Sequence, residues 1–303
     1  MWKKWNCYIV IITFTTTLLT GCGLVQNNKS EESADTQLDT VNKVETIAAS
    51  ISEYSQVIVD TEFAASDLEV GYEDSDATYI TLKDKNISVS GTGTGVEENV
   101  VTIKEQGTYV ISGTLEEGQI VVDAESFDEV HIILNGVFVT CLNNAPIYIK
   151  NADKVFITLE ENTENTLMDG FTYNQTDDNQ VNGVIFSMTD LTINGSGTLN
   201  ICGNYKYGIA STNDLVITGG IYNITAVNDV LNGKNCVKIK DGTFFLSTTS
   251  GNGIQSKNSD DSTKGYVYIC GGDITVSNCI KGVDGTLVVI EGGILAIAES
   301  TKG

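Results

Sequence analysis

Along the second half of the chain, aliphatic and polar residues alternate in short runs that break at glycine. The runs read DLTINGSGTLNI from Asp190, DLVITGGIYNI from Asp214, CVKIKDGTFFL from Cys236, YVYICGGDITV from Tyr266 and TLVVIEGGILAI from Thr286. A period of two predicts strands with one apolar face. The glycine slots between them, Gly219-Gly220, Gly271-Gly272 and Gly292-Gly293 among them, suit sharp corners. A third short apolar stretch at Ile209, Leu231, Ile254 and Ile280 predicts three strands per repeat. The leading aliphatics Leu191, Leu215, Val237, Val267 and Leu287 lie 24, 22, 30 and 20 residues apart, a solenoid spacing.

One such unit cannot bury its apolar face alone, but stacked parallel copies close a continuous core. The expected fold is therefore all-β: a right-handed parallel β-helix with three strands per rung. An antiparallel β-sandwich is the alternative, since glycine corners also make hairpins. The return of aliphatic, glycine and polar slots at the same offsets favours the helix.

The third strands align Tyr207, Asp229, Asn252 and Asn278 in one polar column, with the loop KNSDDSTKG placing Asn258, Asp260 and Asp261 beside it. Oxygen ligands about 4.8 Å apart suit calcium. Stacked amides hydrogen-bonding only to one another are the alternative reading of the same column.

Composition narrows the partners. The 303 residues include 30 Gly, a single Pro (Pro146) and 41% hydrophobic residues, enough for one elongated core. Every one of the 17 basic residues is lysine, against 40 Asp and Glu, for a formal charge of −23. Such a chain repels nucleic acid and anionic headgroups and attracts cations.

Lys3 and Lys4 precede a largely apolar stretch from Trp5 to Leu19, and Leu19-Thr20-Gly21-Cys22 follows. This resembles a bacterial lipoprotein signal, which implies removal of residues 1–21, lipidation of Cys22 and display on the outer face of the cell membrane. Residues 22–70 read as a polar spacer and 71–303 as the β-helix domain. An amphipathic run at Val41, Val44, Ile47, Ala48 and Ile51 is assigned no function. The end at Ser300 to Gly303, just after a strand, implies a natural chain that continues.

Five cysteines remain beyond the signal: Cys141, Cys202, Cys236, Cys270 and Cys279. An odd count without a C-x-x-C pair fits small packed residues better than a metal site, with a Cys270 to Cys279 bridge left open. His131 is out of phase with Val130 and Ile132 and should face outward.

The segments GTYVISGTLEEGQIVVDA from Gly107, APIYIKNADKVFITLEENTENTLMDG from Ala145 and DLTINGSGTL from Asp190 resemble a family of secreted bacterial carbohydrate-binding proteins, typified by a clostridial cellulose- and pectin-binding protein. The resemblance implies a pectate-lyase-like β-helix, bound calcium, affinity for cellulose and polygalacturonate, and no catalysis. The family's third strand carries D-G-I. Here Asp229 keeps the acid, while Asn252 and Asn278 replace it. The expected calcium ligands are Asp229, Asn252, Asn258, Asp260 and Asp261.

Sugar faces stack on exposed aromatics. Tyr222 and Phe244 fall on the inward phase, Phe245 and Tyr268 on the outward phase. Phe171 and Tyr173, in the insertion DGFTYNQTDDNQVNG, and Tyr205 and Tyr207, in a corner, are the expected platforms. A calcium-dependent lyase is the enzymatic alternative. The chain has no arginine to serve as its base, which leaves Lys238, Lys240, Lys257 or Lys281. A hydrolase would need paired carboxylates, for which Asp190 and Asp214 hold equivalent slots but read as turn residues. A structural adhesin is the third possibility. The expected function is non-catalytic binding of plant cell-wall polysaccharide, with no catalytic residues.

Overall fold

A computed structural model describes residues 57–299 apart from Lys85 and Thr176. The signal segment, Cys22 and the amphipathic run lie outside the described residues. Almost every described element is a strand, and the pairing is parallel except for Ala77–Lys83 with Asn86–Ser90 and Thr94–Glu97 with Val100–Ile103. The sandwich alternative is thereby excluded. Those two antiparallel pairs sit at the N-terminal end, where they cap the edge that parallel stacking would leave open.

Each turn contributes three strands, and each strand pairs with its equivalent one turn later. The largest sheet has 16 strands but bends at the long strand Glu129–Cys141. The N-terminal part of that strand pairs with Lys154–Leu159 and its C-terminal part with Glu164–Asp169, so the sheet forms two wings. The first wing continues through Asp190–Gly195, Asp214–Ile217, Cys236–Ile239, Tyr266–Ile269 and Leu287–Ile290. The second continues through Thr198–Cys202, Ile221–Ala226, Thr243–Thr248, Asp273–Cys279 and Ile294–Glu299. A separate 9-stranded sheet closes the third side.

The interior is one aliphatic cluster. Leu191, Leu215, Val237 and Val267 pair in register and are fully buried, as the repeat predicts. Tyr222 and Phe244 also face inward, stacked with centroids 4.7 Å apart. At the corner Gly271-Gly272, a side chain on Gly271 would collide with the Lys240 carbonyl, and Gly272 has a φ of +89°. Both glycines are required, for different reasons.

Two register expectations need correction. Val267 pairs with Val288 rather than Leu287, because the last unit aligns on its glycine corner, and Leu287 faces outward. In the third sheet Ile254 pairs with Val283, which puts Lys281 where Asn278 was expected. The strand Asp273–Cys279 bulges between Ser277 and Cys279, with Asn278 at φ +55°, and the next strand of the third sheet begins at Val283, three positions beyond Ile280. Ile280 is left exposed.

Part of the expected spacer is packed. Residues 57–70 run across the outer face of the first wing as a strap. The Asp67 carboxylate is buried, accepting bonds at 2.6 Å from both Lys154 Nζ and Thr192 Oγ1 and at 3.0 Å from the Ala64 amide. Further along, Lys238 Nζ bonds Asp60 at 2.8 Å and the Glu62 carbonyl, and lies 4.9 Å above the Phe63 ring. Phe63 also packs against Tyr268, which is outward as expected yet only 4% exposed. His131 points outward too, but stacks on Phe156 at 4.5 Å. Burial pushes its imidazole pKa down, against Glu129 and Glu69.

The five cysteines are unbridged: Cys141, Cys236 and Cys279 are buried, and Cys202 and Cys270 half-buried.

Candidate functional site

The insertion between Glu164–Asp169 and Gly183–Ser187 folds back over the outer edge of the third sheet. Asp169, at the end of its strand and 1% exposed, organises it. Its carboxylate accepts the Tyr173 hydroxyl at 2.7 Å and the Asn204 amide at 2.5 Å, and its carbonyl accepts Asn204 Nδ2 at 2.8 Å. Burial raises the Asp169 carboxyl pKa, and these hydrogen bonds offset only part of that rise. Tyr173 stacks on Tyr205 with centroids 4.4 Å apart. Lys206 Nζ lies 5.1 Å over the Tyr205 ring.

Beneath this corner, Ala145, Tyr148, Val181, Phe186 and Ala210 form a small apolar cluster against which Tyr173 and Tyr207 pack. Tyr148 donates its hydroxyl to Asp177 at 2.7 Å and accepts Asn179 Nδ2 at 2.6 Å, which pins the far end of the insertion. Three of the four expected platforms thus come together, but their rings are occupied in bracing the corner. Phe171 differs, at 79% exposed. It lines a cleft of about 450 Å³ with Leu142, Met168, Asp169, Cys202 and Asn204.

The expected metal column is a hydrogen-bonded ladder. Asp229, 2% exposed, accepts the Asn252 amide at 2.8 Å on one oxygen, and Asn232 Nδ2 at 3.0 Å and Gln255 Nε2 at 2.8 Å on the other. Asn252 Nδ2 donates to Gln255 Oε1 at 2.7 Å. Burial raises the Asp229 carboxyl pKa, with hydrogen bonds from Asn252 and Asn232 opposing it. One step along, Asp284 takes Lys257 at 2.5 Å and Lys281 at 2.8 Å. Burial alone would raise its pKa, but the two lysines outweigh burial and bring it below the ordinary value.

The loop residues have their own commitments. Asn258 Oδ1 accepts the amides of Asp260 and Asp261, both at 2.9 Å, while Asp260 pairs with Lys234 at 2.6 Å and Asp261 accepts Thr263 Oγ1 at 2.6 Å. These oxygens already face N–H and O–H donors, so the arrangement does not fit a calcium cage. Among the described residues no group of three or more His, Cys, Asp or Glu is placed to share a metal ion.

The four lysines considered as a base have other contacts. Lys238 is held by the strap, Lys240 lies 5.2 Å over Phe63, and Lys257 and Lys281 pair with Asp284. Asp190 and Asp214, expected as turn residues, each open a strand, and the Asp214 amide donates to Asp190 Oδ1 at 3.3 Å across the stack.

Asn232, Gln255 and Asp284 were not singled out from sequence. Their signal was the spacing from the correct pairing partners Leu231, Ile254 and Val283, and only the last of these was misaligned.

Comparison with known proteins gives three findings. The model of a family described as carbohydrate-binding domain-containing protein matches residues 97–303. A carbohydrate-binding domain-containing protein of Acetivibrio thermocellus is 42% identical over 154 residues, 50% of this chain and 53% of that protein. The chain thus spans about half the length of that relative. A solved structure of a polysaccharide lyase-like protein from C. thermocellum, a gadolinium derivative, is 33% identical with a TM-score of 0.62, covering 75% of this chain and 98% of that one.

Proposed function

The chain belongs to the carbohydrate-binding domain-containing protein family, and from that premise we propose that it is a non-catalytic binding protein for plant cell-wall polysaccharide. In this reading the stack is a right-handed parallel β-helix of the pectate-lyase type, tethered through lipidated Cys22 to the outer face of a bacterial membrane. Cellulose and polygalacturonate are the ligands.

The observation that carries the reading is Phe171, an exposed ring over a cleft whose floor is rigid. Asp169 and Asn204 line the cleft and are fixed by their bonds to each other and by that of Asp169 to Tyr173, so a sugar stacking on Phe171 would lose little to ordering of the protein. The ion pairs of Lys238, Lys257 and Lys281 and the ring contact of Lys240 support binding without cleavage. A uronate polymer and a chain of −23 repel one another, so a bridging cation would assist. The ladder offers no ready cage for that ion.

The test is co-sedimentation of the full chain with polygalacturonate or microcrystalline cellulose, with calcium or chelator, while following the ultraviolet absorbance of unsaturated uronide ends. Retention without absorbance is expected, and Phe171→Ala should weaken polygalacturonate retention about tenfold. Growing absorbance would establish a lyase, and loss of neither ligand in Phe171→Ala would remove the cleft from the reading.

A further inference from the structure

Among the described residues no segment covers the outer face of the second wing, and its chemistry differs from that of the first. Parallel register lines up Phe138, Thr166, Asn200, Asn223, Phe245 and Thr275 in one column. The neighbouring column, from Thr140 through Thr225 to Ala298, is built likewise of small or uncharged residues. Within this wing neither column contains a charge, in a chain with 40 acidic residues; beyond it the Phe138 column continues through Thr114 to Lys83. Charges in the wing appear in the column beside the glycine corner, at Glu164 and Asp273. An uncharged face on so acidic a surface suits an uncharged ligand, since no ion need be stripped of water when it is covered.

Phe138 is 40% exposed and Phe245 54%. Four strand steps separate them, about 19 Å at ~4.8 Å per step. Between them Asn223 Nδ2 donates to Asn200 Oδ1 at 2.8 Å, which holds two amides in line. One strand step is close to the length of one pyranose unit in an extended β-1,4-linked chain, so successive rungs meet successive sugars. Phenylalanine presents an apolar face to the C–H face of a pyranose, and the amides present donors and acceptors to its equatorial hydroxyls.

We propose that this face binds an extended, uncharged β-linked glucan lying along the stack, with Phe138 and Phe245 as stacking anchors and Asn200 and Asn223 hydrogen-bonding between them. The proposal rests on the carbohydrate-binding reading but concerns a surface separate from the Phe171 cleft. It assigns neutral and acidic polysaccharides to different faces.

The test uses the full chain, microcrystalline cellulose, and polygalacturonate with calcium. A Phe138→Ser/Phe245→Ser double variant should lose at least tenfold in cellulose retention, with polygalacturonate retention and thermal midpoint unchanged. Asn223→Asp, which adds a charge at the centre of an exposed face, should lower cellulose retention without unfolding the chain. Undiminished cellulose retention in a folded double variant overturns the proposal, as does a wild-type chain that holds polygalacturonate but ignores cellulose. A wild-type dimer that the double variant dissociates, with cellulose retention intact, would assign the face to self-association. Failure of the wild type to hold either polymer overturns the carbohydrate-binding reading itself.

Discussion

The two wings of the large sheet have the same interior and opposite exteriors. On the first wing, the outward column His131, Phe156, Thr192, Val216, Lys238 and Tyr268 is covered, and Thr192 is fully buried. On the second, the column from Phe138 to Thr275 is open to solvent or nearly so. The first column carries lysine and aromatic groups that a partner can satisfy, and residues 57–70 supply that partner with Asp60, Phe63 and Asp67. The second offers short hydroxyls and amides, two phenylalanines and no charge, and no segment of the described chain crosses it. An outward residue in such a stack is therefore not yet a surface residue. Its exposure depends on what another part of the chain brings to it.

The comparison can be broken at several points. The interior shared by both wings sets the largest effect: Phe244→Ala, which empties the position stacked on Tyr222, should cost about 3–5 kcal/mol in urea unfolding. Its neighbour Phe245, one residue on and outward, should cost within about 0.5 kcal/mol as Ser while it lowers cellulose retention. Equal costs at the two positions would show that the second wing is covered after all.

Next comes the strap. Asp67→Ala leaves Lys154 without its carboxylate in a largely buried site and should cost about 2–3 kcal/mol, a figure reduced because the Lys154 side chain keeps 20% of its exposure. Limited proteolysis should then cut within residues 57–70 far faster than in the wild type. Unchanged cleavage would mean that Asp67 does not hold the strap.

The smallest effect is a pH dependence in the ladder. The folded pKa of Asp284 is depressed, so the stability it contributes is complete above its unfolded value near pH ~4 and is lost as pH falls through the folded value. The folded pKa of Asp229 is raised, so its contribution has the opposite sign: it is complete below the unfolded value and is lost as pH rises through the folded one. Thermal midpoints measured from pH 6 down to 2 should therefore fall less steeply below pH ~4 in Asp284→Asn than in the wild type. Parallel curves would mean that the two lysines do not stabilise the carboxylate.

Much of the fold was legible because inward positions meet a single environment. Leu191, Leu215, Val237 and Val267 can only be core, and the glycine corners can only be turns, so polarity and period suffice to place three strands in each turn. The candidate site was less legible. Tyr173, Tyr205 and Tyr207 were named as ring platforms in two separate segments, yet whether a tyrosine offers its ring to a ligand or spends it on Asp169 and a neighbouring ring is decided by contacts between separate turns. Asp229 was placed in a column of stacked polar residues. What its oxygens accept depended on Asn232 and Gln255, whose alignment follows from pairing register rather than from residue type. The sequence by itself determined the alternation, the corners and the acidity, all local or additive properties. Only the tertiary structure decided the register that sets Lys281 where Asn278 was expected, the strap that buries Tyr268, and the neutral face that no described segment covers, because each depends on segments distant in the chain meeting a position that polarity alone leaves undetermined.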